Sequence, residues 1–342
     1  MENDRKRKTA VIGAGNWGTA LAKLLGDKGE DVVLWSHRPE HCAQLRQHRE
    51  NRRYLPGYTL PPNIHIEENL QDAVDSCRYV VMVVPSHGFR EVFSHIAPLL
   101  AEGTIVLSAV KGIENKTLAT MTGIMADLLR RHGKEEQCRL GVLSGPSFAD
   151  EVAARQPTAV TVAFGDQEAA TEVQQLFSTD FFRAYTGDDV IGLEISSAMK
   201  NVVAIAAGIS DGLGYGLNTR AALITRGLAE ITRLGTRMGA NPLTFLGLGG
   251  LGDLVLTCTG NLSRNRTVGL KLGEGKSLQQ ALAEMSMVAE GVRTTRSCYA
   301  LSRKLEVEMP ILEQTYQVLY EDKPARTAVR DLLGRSLKKE LP

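Results

Sequence analysis

Apolar residues in the first half of the chain fall into short continuous runs, each followed by a stretch at helical spacing. Residues 9–13 (Thr-Ala-Val-Ile-Gly) predict a strand buried on both faces, 19–25 the helix after it, and 31–35 (Asp-Val-Val-Leu-Trp) a second strand. A helical pattern over 41–49 and a polar, proline-bearing stretch over 51–62 come next, then a short strand at 64–66 and a short helix near 70–77. The run 79–84 (Tyr-Val-Val-Met-Val-Val) has no polar face and stops at Pro85. Helix near 89–100, strand 104–110, helix 117–131 and strand 139–145 repeat the alternation, and strands at 158–164 and 182–185 flank a helix at 167–177. Such alternation specifies a doubly wound α/β domain with a parallel sheet and right-handed crossovers.

Beyond about residue 187 the period changes. Residues 190–209, 219–238, 277–285, 294–304 and 311–320 all read at helical spacing, and strand signals vanish. Gly208, Gly212, Gly214 and Gly216 are expected to separate the first two of these helices. Two domains are therefore expected, 8–188 and a mainly α-helical 189–340, with a substrate site at their junction. The first eight residues are polar and read as a frayed tail. The most apolar stretch, 201–209, is too short to span a bilayer and fits a buried core helix.

Composition narrows the class. With 40 Lys+Arg against 39 Asp+Glu, nothing in the charge points to nucleic acid or an anionic membrane. The five cysteines are scattered and form no C-x-x-C pair, which argues for reduced thiols in the cytoplasm and against a zinc site.

The first strand and helix are joined by Gly13-Ala-Gly15-Asn16-Trp17-Gly18. A G-x-G-x-x-G between a buried strand and a helix is the dinucleotide-binding fingerprint of the Rossmann domain. Gly13 permits the tight turn, Gly15 lets the backbone approach a pyrophosphate, and Gly18 lets helix and strand pack closely. The helix N-terminus then offers N–H groups to the phosphates. At the end of the second strand, where an NAD-selective site usually carries a carboxylate, this chain has Ser36-His37-Arg38. Arg38 has the charge to pair with a 2′-phosphate and His37 to add a hydrogen bond, so NADP(H) is favoured and NAD(H) remains an alternative. A solvated loop charge is the plainer account of Arg38.

Ligands of open parallel sheets lie beyond the carboxyl ends of the strands. Those ends carry Lys111-Gly112 and Ser144-Gly145-Pro146-Ser147, the latter leading into a helix. In the second half, Lys200 and Asn201 interrupt an apolar helix, and an ammonium buried there needs a partner unless its head reaches solvent. A glycine-rich turn, 247–252, delivers Asp253, either as a helix cap or as that partner. Ser263-Arg264-Asn265-Arg266 gathers two guanidiniums, a hydroxyl and an amide, a set suited to a phosphate, though an exposed basic loop has the same composition.

Taken together these blocks resemble one family, the bacterial-type soluble NAD(P)-dependent glycerol-3-phosphate dehydrogenases. The resemblance rests on 13–18, Val84-Pro-Ser-His87, Ala109-Val-Lys-Gly112, Ser144-Gly-Pro-Ser-Phe148, Ala198-Met-Lys-Asn-Val202, Ala221-Ala-Leu-Ile-Thr-Arg-Gly227, Gly249-Gly-Leu-Gly-Asp-Leu254, 263–266 and Val288-Ala-Glu-Gly291, in order over nearly the whole chain. It implies Lys200 as proton acceptor and Lys111 at both substrate and nicotinamide. It implies Gly145, Ser147, Asp253, Ser263, Arg264 and Asn265 at the substrate. Cofactor positions are Asn16, Trp17, His37, Arg38, Ala149, Arg264, Val288 and Glu290. The family often has Ser where Asn16 stands; Asn still caps and donates.

The implied reaction is hydride transfer between NAD(P)H and dihydroxyacetone phosphate, giving sn-glycerol 3-phosphate for glycerophospholipid synthesis. Neutral lysine takes a proton from the alcohol and ammonium returns it, with Lys111 as the neighbouring cation and Asp253 orienting Lys200. A homodimer is expected, with a phosphorylated small molecule as its partner. A β-hydroxyacid or 6-phosphogluconate-type dehydrogenase shares the two-domain plan and the helix lysine, and a non-catalytic NADP(H)-sensing protein shares the first domain.

Overall fold

The computed structural model describes residues 8–285, 289–337 and 339–340. The polar tail ahead of residue 8 and Val288 lie outside the described residues. The chain divides into two compact units, 1–111 with 119–194, and 112–118 with 195–342. The division falls inside a helix rather than before it, and the short segment 112–118 belongs with the second unit.

The first unit is built on an eight-stranded sheet. Its elements in chain order are β1 (Thr9–Ile12), α1 (Asn16–Asp27), β2 (Val32–Trp35), α2 (Pro39–His48), β3 (Glu50–Asn51), β4 (Leu55–Thr59), β5 (Ile64–Glu67), α3 (Leu70–Val74), β6 (Tyr79–Met82), α4 (Phe89–Ile96), β7 (Ile105–Ser108), α5 (Met121–Arg131), β8 (Arg139–Ser144), α6 (Ala149–Ala153), β9 (Thr158–Phe164), α7 (Gln167–Phe177) and β10 (Phe182–Gly187). The sheet order is β10-β9-β8-β7-β6-β1-β2-β5. Strands run both ways outward from β1, which places the switch point between β1 and β6. Successive residues of β1 alternate between two cores: Val11 lies in one, Ala10 and Ile12 in the other. The unbroken apolar runs follow from this burial on both faces.

Two features depart from the expected pattern. The sheet is not wholly parallel, because β9 pairs antiparallel with β8 and carries β10 with it. Between β8 and β9 the only helix is α6, five residues and so roughly 7 Å long. That is too short to carry the chain back along a six-residue strand of roughly 20 Å, and α6 packs on α1 instead. The stretch 51–62, read only as polar and proline-bearing, contains β4, which pairs antiparallel with β3 in a separate two-stranded ribbon.

The second unit is helical: α8 (Val190–Gly212), which begins in the first unit, α9 (Leu217–Arg237), α10 (Asp253–Thr259), α11 (Arg264–Gly273), α12 (Leu278–Ala283), α13 (Glu290–Lys304), α14 (Pro310–Tyr320) and α15 (Ala325–Leu333). Helices α11 and α15 were not among the expected elements, and α10 was foreshadowed only by Asp253 as a helix cap. Gly208 does not separate helices, contrary to expectation: it lies inside α8. A Cβ there would stand 2.0 Å from the Arg266 carbonyl oxygen, one at Gly212 2.2 Å from that of Leu270, and one at Gly269 2.0 Å from that of Ile205. The glycines let α8 and α11 cross backbone to backbone. By length and composition α8 is apolar enough to cross a membrane, but 83% of its most apolar window is buried inside the protein.

Candidate active site

The glycine-rich turn closes directly off β1. Gly13 has φ +126, and a Cβ on it would stand 2.8 Å from the Val83 carbonyl oxygen beyond β6. At Gly18 a Cβ would stand 1.8 Å from the Gly13 oxygen, so α1 starts against the strand end. Gly15 is different: an added Cβ meets nothing within 4 Å. Among the described residues no packing keeps that position small, whereas a pyrophosphate laid against the turn would. The Asn16 side chain accepts from the Trp17 N–H at 2.9 Å. Trp17 packs beside Ala20, Leu55, Ala149 and Ala153, and its buried indole N–H has no partner. A bare Gly15 and an orphaned donor fit a turn built for an external ligand.

At the far end of β2, His37 and Arg38 are exposed, and Arg38 Nε donates to His37 Nε2 at 3.2 Å. Partial burial and then the Arg38 charge hold the His37 imidazole below its usual pKa, which keeps that nitrogen free to accept. Lys111 is half-buried three residues after β7. Gly145, with φ +150, sits where a Cβ would stand 2.8 Å from the Val160 Cα. The Ser147 hydroxyl donates back to its carbonyl at 3.0 Å, and Ala149 opens α6.

The second unit holds a buried charge pair. Lys200 on α8 is 4% exposed and Asp253, the first residue of α10, is 1% exposed. Lys200 Nζ donates to Asp253 Oδ1 at 2.5 Å and to the Thr257 hydroxyl at 2.8 Å. Thr257 Oγ1 in turn donates to the Asp253 carbonyl at 2.6 Å, leaving a lone pair for the lysine. The turn before α10 is tight enough that a Cβ at Gly250 would stand 2.2 Å from the Phe245 oxygen. Asp253 is thus both the start of a helix and the partner of Lys200. Burial disfavours the ammonium and the carboxylate compensates it. The neighbouring Cys258 thiol is pushed up to about 12 by burial and stays protonated.

A second constellation adjoins the first. Asn201 and Asn265 are buried, and Asn265 Nδ2 donates to Asn201 Oδ1 at 2.9 Å while its Oδ1 accepts from the Gly291 N–H at 2.9 Å. Gly291 is required: a Cβ would stand 2.7 Å from Asn265 Oδ1. The Ser263 hydroxyl caps α11 through the Arg266 N–H at 3.3 Å. Of the two guanidiniums of 263–266, Arg266 is committed to Asp211, at 2.8 Å, and through it to Arg220. Glu290 opens α13. Thr257 and Asn201 carried no role in the sequence reading. Thr257 lies one helical turn after Asp253, a spacing legible only once α10 is known to be a helix.

A glycine-rich turn at the switch point of a doubly wound sheet, with a buried lysine–carboxylate pair on a helical unit, defines a nicotinamide-dinucleotide-dependent oxidoreductase. Comparison with known proteins gives the particular kind. Residues 8–170 match the N-terminal part, and 189–330 the C-terminal part, of the NAD-dependent glycerol-3-phosphate dehydrogenase family. The chain is 59% identical over 331 residues to a glycerol-3-phosphate dehydrogenase (NAD(P)+) of Desulfotalea psychrophila, covering 97% of this chain and 98% of that one. It is 55% identical over 333 residues to one from Citrifermentans bemidjiense, with 97% and 98% covered. The crystal structure of glycerol-3-phosphate dehydrogenase from Coxiella burnetii superposes with a TM-score of 0.92 at 41% identity, over 97% of this chain and 100% of that one. The chain belongs to the NAD-dependent glycerol-3-phosphate dehydrogenase family and is an NAD(P)-dependent oxidoreductase.

Proposed function

We propose that the protein interconverts dihydroxyacetone phosphate and sn-glycerol 3-phosphate, with NADP(H) favoured over NAD(H). The observation that carries this reading is the Lys200–Asp253–Thr257 cluster, an ammonium buried among fixed partners in a chain that also has a dinucleotide turn. The bound nicotinamide supplies or accepts the hydride at C2. Lys200 gives a proton to the C2 oxygen during ketone reduction and removes it during alcohol oxidation. Asp253 and Thr257 hold the Lys200 nitrogen against drift. Lys111 supplies a second cation to the same oxygen and to the nicotinamide ring.

The phosphate falls to Arg264 and to the free N–H of the Asn265 amide, whose other groups are committed to Asn201 and Gly291. Gly145, Ser147 and Ser263 complete the substrate contacts; Asn16, Trp17, His37, Arg38, Ala149, Val288 and Glu290 complete those of the cofactor. Binding the remote phosphate orients C2 for transfer. His37 and Arg38 favour the 2′-phosphate electrostatically. The protein is expected to work in the cytoplasm as a homodimer, feeding glycerophospholipid synthesis; its cysteines are all free and buried, in line with a reducing compartment.

The test is the absorbance change of NADPH and of NADH with dihydroxyacetone phosphate as acceptor, beside a panel of 3-hydroxy acids and 6-phosphogluconate. Turnover on the ketose phosphate supports the proposal. Turnover confined to the hydroxy acids replaces it with a β-hydroxyacid or 6-phosphogluconate-type enzyme.

A further inference from the structure

Beneath the glycine-rich turn lies a buried hydrogen-bonded chain that the reaction does not use. Its centre is Asn51 on β3, only 1% exposed. Asn51 Nδ2 stands 3.0 Å from the Ala14 carbonyl oxygen and 2.7 Å from Thr19 Oγ1. Thr19 Oγ1 itself donates to the Gly15 carbonyl at 2.7 Å, so toward Asn51 it presents a lone pair. Both Nδ2 hydrogens are thereby used. Asn51 Oδ1 accepts from the Tyr54 N–H at 3.2 Å and faces His41 Nε2 at 3.1 Å. His41 Nε2 therefore carries a proton, and His41 Nδ1, 3.1 Å from the Ser36 hydroxyl, accepts from it. Every donor and acceptor from Ser36 to Gly15 is matched in one assignment, with His41 neutral. Burial, which lowers the His41 pKa, acts in the same direction.

We propose that Asn51, held by His41, is a positioning residue for the dinucleotide, acting through the peptide planes of the glycine-rich turn. This rests on the reading of that turn as the cofactor site. Among the described residues every peptide bond is trans, so the Ala14 carbonyl and the Gly15 N–H point in opposite directions. Pulling the Ala14 oxygen inward to Asn51 turns the Gly15 N–H outward. Tying the Gly15 oxygen to Thr19 does the same for the Asn16 N–H. Two successive amides are thus preset to face a pyrophosphate before it arrives, and their orientation costs nothing on binding. The other end of the chain is Ser36, directly before His37 and Arg38, so one buried chain sets the backbone at both ends of the site. Asn51 makes no contact with the ligand in this scheme. What it fixes is common to NADH and NADPH, because both carry the pyrophosphate.

The experiment uses full-length Asn51→Asp, Asn51→Ala, His41→Phe and His41→Gln. Asn51→Asp keeps the shape but replaces the Nδ2 donors with an acceptor facing the Ala14 oxygen. His41→Gln keeps an amide donor within reach of Asn51 Oδ1; His41→Phe removes it. Cofactor dissociation constants are measured by NADPH and NADH fluorescence without substrate, together with apoprotein melting and, for active variants, kcat and the KM for dihydroxyacetone phosphate.

We expect both dissociation constants to rise together, by about tenfold for Asn51→Asp and His41→Phe, the loss of one oriented hydrogen bond. His41→Gln should recover most of the binding, and kcat at saturating cofactor should stay near that of the unaltered protein. Unchanged affinity in Asn51→Asp overturns the proposal. So does a loss confined to NADPH, which would assign the effect to the 2′-phosphate end. Equal loss of apoprotein melting temperature in all four variants reduces the chain to a folding element and overturns it too. If the unaltered protein binds neither cofactor, the dinucleotide reading itself fails, a result distinct from any of these.

Discussion

An ammonium enters an apolar helix at a cost of several kcal/mol unless something compensates it. Lys200 has that compensation in Asp253 and Thr257, and the pair is held too tightly to be a surface lysine tucked in by chance. Lys200→Ala should therefore reduce turnover by ~10²–10⁴-fold while leaving the NADPH dissociation constant near normal. Retained activity in a steady-state assay would remove Lys200 from the proton transfer. The neighbouring arginines should separate cleanly. Arg264→Ala should weaken the phosphorylated substrate by ~2–4 kcal/mol, read from its KM. Arg266→Ala should instead lower the melting temperature, because it breaks the Asp211 bridge. Reversed phenotypes would exchange the two assignments. At this scale the sequence made Lys200 and Asp253 visible, because a charge in an apolar run and a carboxylate after glycines are local anomalies. The composition of 263–266 left both arginines open and only the family resemblance pointed to Arg264; the Arg266–Asp211 bridge is a contact between distant residues.

Among elements, the crossing of α8 and α11 matters most for the site. One helix carries Lys200 and Asn201, the other Asn265, and their glycines bring the backbones into contact. Gly208→Ala forces a Cβ into the Arg266 carbonyl. The expected cost is ~1–3 kcal/mol of stability. Because the displaced helix starts at the residues proposed to bind the phosphate, the KM for dihydroxyacetone phosphate should rise while NADPH affinity holds. Unaltered melting and KM would show that the crossing yields freely. Gly208 and Gly212 read as breakers in the sequence, since glycine's local preference is the same whether it ends a helix or admits a neighbour. The antiparallel β8–β9 pair was hidden for a similar reason. A strand's apolar pattern does not record its direction; the short α6 between the two sets it.

At the scale of the molecule, one carboxylate ties stability to pH. Glu230 on α9 accepts from the Ile311 N–H at 2.7 Å and the Leu312 N–H at 3.2 Å, at the start of α14. Burial pushes its carboxyl up to about 7, against the pull of those two N–H groups and the Arg233 charge. The folded protein thus holds this proton more tightly than the unfolded chain. The group's contribution is complete below the ordinary carboxylate value near 4.5 and fades as pH rises through about 7. Glu230→Gln removes that dependence. The stability difference between the unaltered protein and the variant should shrink from pH 5 to pH 8 in urea denaturation, and a constant difference would sink the assignment.

What the sequence determined by itself is whatever depends on neighbours along the chain. The strand–helix alternation, the glycine-rich turn and the anomalous lysine all belong to this class, because backbone geometry and burial pattern impose them within a few residues. The tertiary structure alone decided strand direction at the sheet edge, the two asparagine networks, the partner of Arg266 and the purpose of the glycines in α8. Each is a contact between residues far apart in sequence. It exists only where packing brings two surfaces within hydrogen-bonding distance, and no local pattern encodes that distance.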